Sequence, residues 1–209
     1  MTPIKTILLT TLTCLFGTLS AAQDAELYEG VADPSSSFVR VIVSGQTMAN
    51  VDGVSFDGLE TGVTPYVMIE KPGDVQISAG EENTTQTIVA STYYTYLVGA
   101  DGVGTMLTDA ITNSPAQADV TFYNLSDVPS IDLFVPAAKA VAIPAVAANQ
   151  TGSVALKAPL KLEFEIKQGD AVLASVPAVD LKRRAGIAIV FRGTNGSYEA
   201  AVTENVVVN

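Results

Sequence analysis

The sequence predicts an all-β protein, organised as two tandem small β-sandwich domains behind a cleaved signal peptide. Three observations predict it. Short runs of β-branched and aromatic residues dominate the chain after its leader. Turn-forming residues stand between the runs. The same order of runs and turns then recurs in the second half of the chain. No stretch after the leader carries a clean helical stripe, so the pattern favours sandwiches or barrels over helix-containing folds.

At the N-terminus Lys5 is followed by an apolar run from Ile7 to Leu19 and by the small residues Ser20-Ala21-Ala22. That is the layout of a secretory signal, with cleavage expected before Gln23. The run is shorter than the roughly 20 residues a spanning helix needs. Cys14 lies inside it, and Thr11-Leu12-Thr13 before it make a poor lipid-attachment sequence.

The first domain is expected over residues 23–113. Its strands are Phe38-Val39-Arg40-Val41-Ile42-Val43, Val67-Met68-Ile69, Val75-Gln76-Ile77-Ser78 and Tyr93-Tyr94-Thr95-Tyr96-Leu97-Val98. Asp52-Gly53, Asp57-Gly58, Pro72-Gly73-Asp74 and Asp101-Gly102 supply the turns. Thr112-Asn113-Ser114-Pro115-Ala116 suits a short linker. The second domain is expected over residues 117–209. There Asp119-Val120-Thr121-Phe122-Tyr123-Asn124 takes the place of the Phe38 strand. The run from Pro159 to Ile166 answers the one that begins at Pro72, and Gly186 to Phe191, followed by Asn195-Gly196, answers Tyr93 to Val98. The Ala- and Val-rich segment 137–148 reads as a strand pair or a buried loop, since Pro144 disfavours a continuous helix.

Composition narrows the chemistry. The chain has no histidine, and its one cysteine is in the leader. It therefore lacks the usual proton shuttle, a thiol nucleophile and the softer metal ligands once the leader is gone. No cofactor or metal is expected, and no enzyme activity. A cysteine-free secreted chain of this length fits a bacterial periplasm, where a sizeable core replaces disulfides. With 22 acidic and 11 basic residues the net charge is −11, and removing Lys5 makes it more negative. General attraction to nucleic acid or another polyanion is excluded on that balance.

Candidate sites are few. The serines have no histidine base, and neither a Ser-x-x-Lys nor a Gly-x-Ser-x-Gly motif occurs. Glu163 and Glu165 alternate with Leu162, Phe164 and Ile166, which reads as the solvent face of a strand rather than a glycosidase pair. Tyr93, Tyr94 and Tyr96 offer either a sugar-stacking platform or core packing, with Tyr94 and Tyr96 on one side and Tyr93 on the other. Lys182-Arg183-Arg184 is the one basic cluster, either a contact for an anionic sugar or acidic partner or a solvated loop face. The sequons, among them Asn124-Leu125-Ser126, carry no weight in a bacterial secretion context.

Leu27-Tyr28 followed by Pro34-Ser35-Ser36-Ser37-Phe38-Val39-Arg40-Val41 resembles the mature N-terminus of the AlgF family of alginate O-acetylation proteins. Tyr93-Tyr94-Thr95 and Asn124-Leu125-Ser126 are similar to two further family motifs, in the same order; length, signal peptide and two-part layout agree over essentially the whole chain, with Val43 to Asn83 alike in rhythm rather than in residues. The resemblance implies a non-catalytic periplasmic accessory that bridges or positions hydrolase-like alginate acetyltransferases. The membrane acyltransferase and alginate itself would be further partners. A carbohydrate-binding module that holds alginate directly is the alternative. Partner or polysaccharide contacts are expected at Tyr28, Phe38, Arg40, Lys182, Arg183 and Arg184. Arg40, between Val39 and Val41, is either such a contact or half of a cross-strand ion pair.

Overall fold

A computed structural model describes residues 33–45, 48–99 and 102–209. The expected leader, Cys14 and Tyr28 lie outside the described residues. The fold is all-β. Eight strands make the first half: β1 (Ser37–Val43), β2 (Ala49–Val51), β3 (Val54–Phe56), β4 (Tyr66–Ile69), β5 (Asp74–Ala79), β6 (Glu82–Thr87), β7 (Tyr93–Val98) and β8 (Gly104–Asp109). They form two sheets, ordered β4-β1-β7-β8 and β3-β2-β5-β6.

The second half comprises β9 (Gln117–Ser126), β10 (Ser130–Val135), β11 (Ala140–Ala147), β12 (Gln150–Lys157), β13 (Leu160–Gln168), β14 (Ala171–Leu181), β15 (Gly186–Thr194) and β16 (Ser197–Glu204). Its sheets are ordered β12-β9-β15-β16 and β11-β10-β13-β14. Each strand thus takes the sheet position of the strand eight places earlier in the order. Both halves also share an uncommon feature, a parallel pair at the centre of a largely antiparallel sheet. β1 pairs with β7, in register Phe38 to Tyr93, and β9 pairs with β15, in register Asp119 to Gly186. The rhythm repeated in the sequence is therefore a repeated topology. Segment 137–148 contributes the edge strand β11, where Pro144 removes no interior ladder donor.

Each half buries its own core between its two sheets. Val39, Val41, Val43, Ile77 and Tyr96 anchor the first, and Val120, Phe122, Phe164, Ile189 and Phe191 the second. A third cluster joins the halves. Ile42, Val63, Leu97 and Leu107 of the first pack with Tyr123, Leu125, Ala188 and Val190 of the second. Strand alternation explains it. On β1, Val39, Val41 and Val43 point into the first core, which leaves Arg40 and Ile42 on the other face. On β9, Val120 and Phe122 enter the second core, which leaves Tyr123 and Leu125 opposite. The sheets β4-β1-β7-β8 and β12-β9-β15-β16 are therefore covered on both faces, and their central strands are almost continuously buried. The face of β1 that carries Arg40 is buried, because the second half lies over it.

The last strand, β17 (Val207–Val208), breaks the repeat. It returns from the second half to the first and pairs in parallel with β4, Val207 opposite Tyr66. On the other side of the seam the Arg192 side chain of β15 donates to the Thr61 carbonyl.

Candidate functional site at the seam

Arg40 is 1 % exposed. A buried guanidinium is tolerable only if its donors and its charge are answered. Nε donates to Thr95 Oγ1 at 3.0 Å, Nη1 to Asn205 Oδ1 at 2.8 Å and Nη2 to the Tyr123 hydroxyl at 2.5 Å. The group also lies 4.3 Å from the centroid of the Tyr66 ring. The compensating carboxylate is Asp109, whose Oδ2 stands 3.9 Å from Nη2. Three hydroxyls complete its surroundings: Tyr123 donates to Oδ1 at 2.6 Å, while Thr95 and Tyr66 donate to Oδ2 at 2.6 and 2.8 Å.

Thr95 and Tyr123 each accept from the cation and donate to the anion, so they relay between the two charges. Burial opposes the charge on Arg40, but the Tyr123, Tyr66 and Asp109 oxygens outweigh it and raise its pKa. Burial also raises the pKa of both Tyr66 and Tyr123, although Arg40 pulls the other way. The network joins β1, β4, β7 and β8 of one half to Tyr123 and Asn205 of the other.

Above this network a pocket of about 120 Å³ opens at the seam. Tyr66 and Tyr93 wall it from the first half, Asn113 from the connection between β8 and β9, and Arg184 and Asn205 from the second half. The β14–β15 turn is clasped in place, since Arg184 N donates to Gln117 O at 3.1 Å and Asp119 N to Ala185 O at 3.0 Å. Arg184 itself has a left-handed backbone, φ 57°. Asp119 borders the pocket with both oxygens engaged: Oδ1 accepts from Thr112 N and Oγ1, and Oδ2 from Asn113 N.

The structure thus brings three of the sequence-selected residues to one place. Phe38 stacks on Tyr93 at 4.4 Å, Arg40 lies beneath the pocket through Tyr66 and Asn205, and Arg184 lines it. Lys182 and Arg183 are engaged elsewhere. Lys182 Nζ pairs with Glu204 at 2.8 Å, and Arg183 Nε donates to the Ala158 carbonyl at 2.9 Å. Tyr66, Asp109, Tyr123 and Asn205 were not singled out from sequence. Their signal was present only indirectly, since Arg40 shares a strand face with apolar Ile42, and a face bearing both needs a cover and a carboxylate.

The three tyrosines form no shared platform. Tyr96 is buried and Tyr94 packs against the first core. Tyr93 stacks on Phe38 and meets Tyr66 edge-to-face at 5.2 Å. Glu163 is exposed and Glu165 half-buried on β13, where Lys and Glu alternate with core residues. Among the described residues no three His, Cys, Asp or Glu side chains stand together as a metal site requires. The Asn124 sequon is internal. Its Nδ2 donates to the Val128 and Val146 carbonyls, and its Oδ1 accepts from Ser126 N and Oγ.

The chain is similar to two proteins described as "Alginate biosynthesis protein AlgF". To that of Azotobacter vinelandii it is 24 % identical over 179 residues, covering 85 % of this chain and 82 % of the relative. To that of Pseudomonas fluorescens it is 25 % identical over 178 residues, covering 84 % and 81 %. No family model matches. Among solved structures, the C-terminal domain of AlgF from P. aeruginosa aligns over 43 % of this chain and 98 % of its own, at 19 % identity and TM-score 0.38. A putative cell adhesion protein from Bacteroides ovatus aligns over 85 % and 99 %, at 10 % identity and TM-score 0.30.

Proposed function

We propose that this chain, which belongs to the AlgF family of alginate biosynthesis proteins, is a non-catalytic periplasmic accessory of alginate O-acetylation. It holds hydrolase-like acetyltransferases in position and leaves acetyl transfer to them. The observation that carries this reading is the use made of Arg40. The one charged pair buried among the described residues lies in the first half, and its hydrogen bonds to Tyr123 and Asn205 tie that half to the second. A group engaged in this way holds a surface in shape. Acetyl transfer by a serine needs a base beside the hydroxyl, and a chain without histidine lacks the commonest one.

Deleting the gene in its own producer tests the proposal. The expected outcome is polymer of normal yield without O-acetyl groups, measured by NMR of the purified alginate. The mature protein, immobilised, is expected to retain a purified acetyltransferase and not oligomannuronate. Retention of the oligosaccharide with no enzyme bound would replace the accessory reading with that of a carbohydrate-binding module.

A further inference from the structure

Four arginines stand among the described residues, and three have their guanidinium engaged. Arg40 is in the buried network, Arg183 is on the Ala158 carbonyl and Arg192 is on the Thr61 carbonyl. Arg184 makes no ion pair and no side-chain hydrogen bond among the described residues, yet it lines the seam pocket on a turn pinned to β9. Around it the pocket presents further donors. Tyr93 accepts from Asn113 Nδ2 at 3.0 Å, which leaves its own O–H free to donate. Asn205 has its Oδ1 engaged by Arg40, which fixes the amide and turns Nδ2 towards Gly186 at the pocket wall. Arg184, Tyr93 and Asn205 thus bring a guanidinium, a hydroxyl and an amide N–H to one pocket, the donor set that recognises a carboxylate.

We infer that the seam pocket receives a carboxylate side chain, Asp or Glu, from a protein partner. Three observations favour a protein carboxylate over a uronate of the polymer. A sugar ring is commonly stacked on an open aromatic face, and both Tyr93 contacts, with Phe38 and with Tyr66, reduce what that ring offers. A polyuronate also brings a charge on every residue against a chain of net charge −11, whereas one acidic side chain brings one. The pocket, at about 120 Å³, has the scale of a single side chain and not of a strand of sugars. Asp119, the carboxylate at its border, faces three donors of the 112–113 segment.

The inference rests on the accessory reading for the partner's identity but not for the pocket's chemistry, and the test separates them. Mature protein is titrated with N-acetylglutamate, N-acetylglutamine and oligomannuronate while arginine Nε and tyrosine ring resonances are followed by NMR. Millimolar N-acetylglutamate is expected to shift the Arg184 and Tyr93 signals, N-acetylglutamine to leave them in place, and Arg184→Gln to abolish the response. In parallel, affinity for a purified periplasmic acetyltransferase is expected to fall about tenfold in Arg184→Gln, with Lys157→Gln as an exposed-cation control that stays within about twofold. No response to N-acetylglutamate, or a response to oligomannuronate at lower concentration, overturns the inference. So does an acetyltransferase affinity that Arg184→Gln leaves intact. If the acetyltransferase binds neither protein, the accessory reading fails with it, and the N-acetylglutamate response alone decides whether the pocket is a carboxylate site.

Discussion

Arg40 shows how one residue can carry a claim about a whole interface. Its guanidinium has a hydrogen bond from each of three nitrogens and a ring beneath it, and Asp109 has three hydroxyls. Net stabilisation by such a pair is small, because desolvating both charges offsets most of their attraction. The consequence of removing one partner is not small. In Arg40→Met the Asp109 carboxylate stays buried without its cation, which costs about 3–5 kcal/mol. The double variant Arg40→Met, Asp109→Leu removes both charges and is expected to recover much of that loss. Urea unfolding of the two variants measures both values. A double variant no more stable than the single one would show that Asp109 is not the group Arg40 compensates.

At the scale of elements, β17 is the segment whose role is least apparent from composition and most exposed to test. It is two residues long, yet the segment around it contributes Asn205 to Arg40, the Val206 carbonyl to Tyr66 N at 2.8 Å, and a parallel pairing to β4. Ending the chain after Glu204 removes these and opens β4 as a free edge. With hydrogen bonds worth about 1 kcal/mol each, a loss of about 3 kcal/mol follows. An unpaired edge also invites strand addition by a second chain. Hydrogen exchange should show the Tyr66 and Val67 amides losing protection, and sedimentation should show self-association. Unchanged protection at β4 would mean that β17 does not hold that edge.

The contrast with β1 shows what the sequence makes legible. Val39, Val41, Val43 and the tyrosine run of β7 announce strands through local alternation, and Asp52-Gly53 and Asn195-Gly196 announce turns. The duplicated order of strands is readable for the same reason, because each copy repeats its own local signals. The seam is not local. Arg40 meets Tyr123 and Asn205, 83 and 165 residues further along. Nothing in a strand's own period distinguishes a face turned to solvent from one turned to another sheet. Of the pocket residues, Arg184 was visible as part of a basic run, whereas Asn113 and Asn205 look like ordinary loop residues until the fold brings them together.

At the scale of residues 33–209, two halves with cores of their own are joined by a third cluster and by a network rich in tyrosine hydroxyls. That arrangement makes the coupling between halves sensitive to alkali. Burial raises the pKa of Tyr66 and Tyr123 at the seam, and burial beside Glu82 pushes Tyr96, in the first core, up to about 12. A pKa raised in the folded state means that the folded protein holds the proton more tightly than the unfolded chain. The stability from these groups is therefore complete below the ordinary tyrosine value of about 10 and is lost as pH rises towards the folded values. Ionising Tyr123 would remove its donation to the Asp109 carboxylate and put a second negative charge beside it. Ionising Tyr66 would do the same from β4. Two of these three hydroxyls, Tyr66 and Tyr123, belong to the network that joins the halves, so the loss weighs on that junction, while most of each core is apolar and indifferent to pH. At pH 7 urea should unfold residues 33–209 in one transition followed alike by tyrosine fluorescence and by circular dichroism. Between about pH 10 and 12 the transition should fall to lower urea and divide in two. Tyr123→Phe should show the division at lower pH, since it starts with one relay between Arg40 and Asp109 missing. A single transition persisting to pH 12 would mean that the apolar cluster of Ile42, Leu97, Tyr123 and Val190 holds the halves together without the network.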